Sequence, residues 1–149
     1  LSLQARQRLV DHKHTIFQRN SEREDLLDRN KTHTELIALL LELVGKNHII
    51  LFTAVATDHH NDEALGLHGH TNGYAADVWI LKSVSPTDYV DASDPEMQRF
   101  LADAARSVWL YQIGLAGSAD TPTDEAAAGR TVFSDDGADH IHLGAQGTL

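Results

Sequence analysis

The chain has 149 residues, 42% of them hydrophobic and 23% charged, which suits one folded domain able to bury its own core. Its 22 acidic residues against 12 basic ones give a formal net charge of -10, which argues against binding nucleic acid through a basic face. The absence of cysteine excludes disulfides and thiolate metal sites, and no run approaches the ~18–20 apolar residues of a membrane span.

The opening LSLQARQRLV has no apolar signal-peptide region and no initiator Met, so the chain reads as trimmed or as a piece of something longer. Residues 1–30, rich in Arg, Gln, Glu and Asp, predict a helical segment and a polar connector. Thr32 followed by Glu35 is a capping-box pattern, and the apolar ELIALLLELV closed by Gly45 predicts a helix with a wide buried face. HIILFTAV, residues 48–55, is β-branched and short enough for a buried strand. The next stretch, TDHHNDEALGLHGHTNG, has the polar, glycine-containing composition of a surface loop carrying function. In it, Asp58 and Asp62 read as turn formers.

Residues 74–81, YAADVWIL, return to strand character, and Trp79 is expected to fill core. Ser93, Asp94, Pro95 and Glu96 are a helix start. Met97, Phe100, Leu101, Ala104, Ala105 and Val108 recur at three- and four-residue steps, the signature of one amphipathic face. LYQIGLAG is a predicted strand, with Trp109 and Tyr111 in core or at a sheet edge, and TVF and HIHLG close the sheet. No regular βαβ alternation appears. The expected class is α+β, a mostly antiparallel sheet with helices packed on one side. Residues 1–149 are read as one domain and as a monomer.

Histidine is the outlier, with ten in the chain. His12, His14, His33 and His48 read as solvated surface residues. His59, His60, His68 and His70 crowd one loop, and His140 and His142 alternate with Ile141 and Leu143. On a strand that alternation sends the two imidazoles to one face and the two aliphatics to the core. In HTNGYAAD, seven extended steps would part His70 from Asp77 by roughly 23 Å, too far for one ion, so the chain must turn, and Asn72–Gly73 is a favoured turn dipeptide. Two imidazoles and a carboxylate with one open position form a catalytic rather than a structural zinc arrangement. Asp139 and His140 are the two candidates for a nearby base.

HxxGxAxD followed by DxxH and HxH resembles the metallopeptidase group of the D-Ala-D-Ala peptidases, lysostaphin-type enzymes and phage endolysins, over residues 53–144. The resemblance implies zinc (Zn2+) on His70, Asp77 and His142, Asp139 as general base and His140 beside the metal as an assistant, with the metal site on the sheet face opposite the helices and residues 48–144 as the catalytic core. It implies a peptidoglycan hydrolase acting on the cell-wall stem peptide, of the L-alanyl-D-glutamate endopeptidase or D-Ala-D-Ala type. The chain departs from the group in having no Arg between Asn30 and Gln98. His68 also stands where the group commonly has Ser, so the oxyanion and substrate contacts fall to His59, His60 and His68. The Sonic hedgehog signalling domain resembles the same peptidases, so a zinc-retaining, non-catalytic binding module is the alternative. Asp58-His59-His60 also matches a phosphoesterase triplet, but the acidic strand which that chemistry needs upstream is here the apolar HIILFTAVA. A cupin site at His68-Gly69-His70 fails because no acid follows between Thr71 and Ala76.

Overall fold

The computed structural model describes residues 3–56, 72–91, 93–114, 131–133 and 141–146. Among them four helices and six strands occur: α1 (Leu3–Val10), β1 (Thr15–Phe17), α2 (Asn20–Leu27), α3 (Thr34–Gly45), β2 (Ile49–Ala54), β3 (Ala75–Leu81), α4 (Pro95–Arg106), β4 (Leu110–Gly114), β5 (Thr131–Phe133) and β6 (Ile141–Ala145). The strands make one sheet in the order β1-β2-β3-β6-β4-β5. The pairs β2–β3, β3–β6 and β6–β4 are antiparallel, while the outer pairs β1–β2 and β4–β5 are parallel. The class is α+β with a mostly antiparallel sheet.

The helices lie against one face. α3 packs on β6 and touches α1 and α4, and α4 also rests on β4. Leu36, Ile37, Leu39, Leu40, Leu43 and Val44 of α3 are fully buried, each contributing about 1.5–3 kcal/mol through removal of apolar surface from water. They meet Ile50 and Phe52 of β2, Ala76, Val78 and Ile80 of β3, Ile113 of β4, and Ile141, Leu143 and Ala145 of β6.

Local chemistry accounts for the helix ends, with some corrections to the sequence reading. Asp94 caps α4 by accepting from the Glu96 N–H at 2.9 Å, with Pro95 in the first turn, as expected. α3 is capped by His33, whose Nδ1 accepts from the Glu35 N–H at 3.2 Å, and not by Thr32. The Thr32 hydroxyl is otherwise engaged: it accepts from Arg6 at 2.6 Å and donates to the Asp25 carbonyl at 2.9 Å. Gly45 ends α3, but the residue in the left-handed region is Asn47, at φ 69°. The N-terminal segment is not a helix and connector: it holds α1, α2 and the short strand β1. Buried Arg6 ties these together by donating to the Leu26 carbonyl at 2.8 Å and to Thr32. Burial lowers the Arg6 pKa from its ordinary value, and the charge of Asp28 works the other way.

His48 is not a solvated residue. It is buried, and its Nε2 donates to the Asp103 carboxylate of α4 at 2.7 Å, which fastens the start of β2 to that helix. His33 is half-buried and stacks on Tyr74 at 4.5 Å besides capping α3. Val108 lies past the end of α4 and is exposed rather than part of its apolar face.

Candidate functional site

Strand alternation gives the sheet a second face, turned away from the helices. The register places Asp77 directly opposite His142 and Ala75 opposite Gly144 on β3 and β6. It places Gly114 opposite His142 and Gln112 opposite Gly144 on β4 and β6. Residues directly opposite in an antiparallel pair share a face. Asp77, His142 and Gln112 therefore project together from a floor made by Ala75, Gly114 and Gly144. Towards β2 the same face turns apolar, with Leu51 and Leu81 buried outside the main core. Trp79 shares it too, half-buried and packed against Tyr89 at 4.4 Å, rather than in the core.

Two irregularities border this patch. On β2 the register slips between Phe52 and Ala54, next to Asp77, and the intervening Thr53 hydroxyl donates to the Asp77 carbonyl at 3.2 Å. On β4 it slips between Leu110 and Gln112. Two steps of β4 span a single step of β6 there, so Leu110 keeps its core position while Gln112 turns to the opposite face. Bulges re-aim side chains in this way and gather beside functional sites.

Asp77 and His142 are 2% and 4% exposed, and Asp77 Oδ1 stands 3.2 Å from His142 Nδ1. That spacing suits a hydrogen bond. It also suits a shared ion, because two ligand atoms each about 2.0–2.1 Å from a tetrahedral zinc stand about 3.3 Å apart. The donor set, one carboxylate oxygen and one imidazole nitrogen on adjacent rigid strands, thus fits two corners of a zinc tetrahedron with little rearrangement.

The structure brings together two of the three expected metal ligands. The third, His70, lies outside the described residues, as do the expected base Asp139, its neighbour His140, and His59, His60 and His68. Among the described residues, no group of three or more His, Cys, Asp or Glu is placed to hold a metal ion. The Asn72–Gly73 turn expected ahead of β3 is present, with Gly73 at φ 79°. Gln112 was not anticipated, since only the β4 bulge brings it to this face and period-two reading of LYQIG does not reveal a bulge. Comparison with protein-family models, with curated proteins and with solved structures finds no match for the chain.

Proposed function

We propose that the chain is a zinc-dependent peptidase that hydrolyses a peptide bond of the bacterial cell-wall stem peptide. The observation that carries this reading is the Asp77–His142 pair: two buried ligand-type side chains, 65 positions apart in sequence, facing each other at 3.2 Å in the middle of the sheet. The register shifts on both sides add support, since such irregularities gather beside functional sites.

In this reading His70, Asp77 and His142 hold zinc. When bound, zinc supplies Lewis-acid polarisation of the scissile carbonyl and acidifies the attacking water. The remaining work belongs to the chain. Asp139 takes the proton from the water and returns it to the leaving amine, and His140 steadies the negative charge on the carbonyl oxygen, with His59, His60 and His68 as the further substrate or oxyanion contacts. The aspartate base favours an L-alanyl-D-glutamate endopeptidase over a D-Ala-D-Ala peptidase.

Metal content by plasma mass spectrometry tests the centre, with His142→Ala and Asp77→Asn alongside and circular dichroism confirming that each variant folds. About one zinc per wild-type chain, lost in both folded variants, together with release of free amino groups from purified peptidoglycan, is the expected result. Zinc without any release would reassign the chain to a zinc-retaining binding module. Absence of metal after zinc is offered would reduce Asp77–His142 to a buried structural pair and end the peptidase reading.

A further inference from the structure

The sheet face that carries Asp77 and His142 holds one more polar side chain, which the proposed chemistry does not use. Gln112 is 4% exposed, and its Oε1 has no hydrogen-bond partner among the described residues. Leaving a buried carbonyl unsatisfied costs about 1–3 kcal/mol, and an aliphatic side chain of the same size would avoid the cost. Most buried polar groups in folded proteins are paired, so an unpaired acceptor calls for an explanation, and a donor from a bound ligand is one.

Its position says what kind of donor. Gln112 lies opposite Gly144 and diagonal to His142. Diagonal neighbours in an antiparallel pair are roughly 7–8 Å apart, within reach of a common bound group. Between them the sheet itself contributes only Gly114, Gly144 and Ala75, which send no long side chain onto this face. A carboxamide has the same planar acceptor and donor pair as a peptide group, and it carries no charge. It matches an internal peptide unit, accepting from its N–H and donating to its C=O.

We propose that Gln112 is a substrate-binding residue whose carboxamide pairs with a backbone peptide group of the stem peptide beside the Asp77–His142 pair. The identity of the peptide rests on the peptidase reading above; the peptide-pairing role itself does not require metal. A neutral clamp of this kind registers the chain on either side of the scissile bond, as an endopeptidase needs.

The test uses the synthetic pentapeptide L-Ala–D-isoGlu–L-Lys–D-Ala–D-Ala with metal-free protein, in which no turnover intervenes. The side-chain NH2 signals of Gln112, identified by their loss in Gln112→Met, should shift on titration with the peptide. Gln112→Met should bind the peptide roughly tenfold more weakly, as expected for two lost neutral hydrogen bonds. Its melting temperature should not fall, since the substitution removes an unsatisfied acceptor rather than a contact. Gln112→Leu serves as the second variant if Gln112→Met fails to fold.

Unshifted NH2 signals, or equal affinity of wild type and variant, would overturn the inference. Failure of the peptidase reading is separately visible. A protein that takes up no zinc and releases no product, yet shifts Gln112 with peptide, keeps the clamp and loses the enzyme. One that cleaves peptidoglycan with Gln112 silent keeps the enzyme and loses the clamp.

Discussion

Gly73 gives the sharpest quantitative expectation. It starts the approach to β3 at φ 79°, and its carbonyl accepts from the His33 N–H at 2.8 Å. A Cβ added there would sit 2.7 Å from the Lys31 carbonyl oxygen and 3.1 Å from the His33 nitrogen. Both are backbone atoms at the entrance of α3 and cannot swing aside. Gly73→Ala therefore meets two penalties. An L-residue in the left-handed region costs roughly 1–2 kcal/mol, and relieving the overlap by shifting backbone adds about 1 kcal/mol more. The smaller entropy of the unfolded alanine chain returns about 0.4–1 kcal/mol. The net loss is about 2 kcal/mol, which for a domain of this size lowers Tm by about 4–8 °C. Gly45→Ala is the paired control. Gly45 is the last residue of α3, with ordinary φ and nothing within 4 Å of an added Cβ, so alanine should raise stability by about 0.5 kcal/mol. Urea and thermal unfolding of both variants measure the contrast. Equal stability of the two, or a Gly73→Ala loss below about 0.5 kcal/mol, would refute the argument that this turn is fixed by close backbone approach.

Three further outcomes are expected. Burial holds the His48 pKa below its ordinary value; the Asp103 hydrogen bond and charge and the Glu96 charge oppose this, while the Arg99 charge adds to it. Above pH ~6.5 the ring is neutral in both folded and unfolded chains, and as pH falls the unfolded chain takes the proton first. Stability should therefore decline from about pH 6.5 downwards through the folded pKa, and His48→Leu should flatten that part of the urea-midpoint profile. Arg6→Met removes three hydrogen bonds joining α1, α2 and the entrance of α3, and chemical unfolding should show a loss of about 3 kcal/mol. Under the proposed zinc centre, Asp77→Asn keeps the side chain's shape but removes an anionic ligand, so competition with a zinc indicator should show affinity falling more than ~100-fold, beyond the usual effect of altering a ligand's supporting neighbours.

What the sequence made legible is what local pattern encodes. β2 and β3 announce themselves by short apolar runs, α4 by its cap, its proline and its three- and four-residue steps, and β6 by the alternation that sends Ile141 and Leu143 to the core and His142 away from it. The motif spacing also singled out Asp77 and His142, which the β3–β6 register then set opposite each other. The missed features depend on partners distant in sequence. Thr32 satisfies the capping-box pattern, yet Arg6, 26 positions away, engages its hydroxyl and the cap passes to His33. His48 resembles any surface histidine until Asp103, 55 positions on, is brought against it. β1 has three residues, too few for any periodicity to register, and Gln112 needed a bulge that no residue type in LYQIG demands.

The place of β6 in the sheet bears on how the protein is made. It is the latest in sequence of the described strands, yet it lies between β3 and β4. Until it is inserted, the described sheet is two fragments, β1-β2-β3 on one side and β4-β5 on the other, each with a raw inner edge. Chains emerge from the ribosome at about 5–20 residues per second, so residues 141–145 follow β4 by seconds during synthesis. The joining of the two fragments and the meeting of His142 with Asp77 both wait for β6. A nascent chain cannot assemble the Asp77–His142 pair before β6 is made, and until then any strand edges already formed are open to edge-to-edge aggregation.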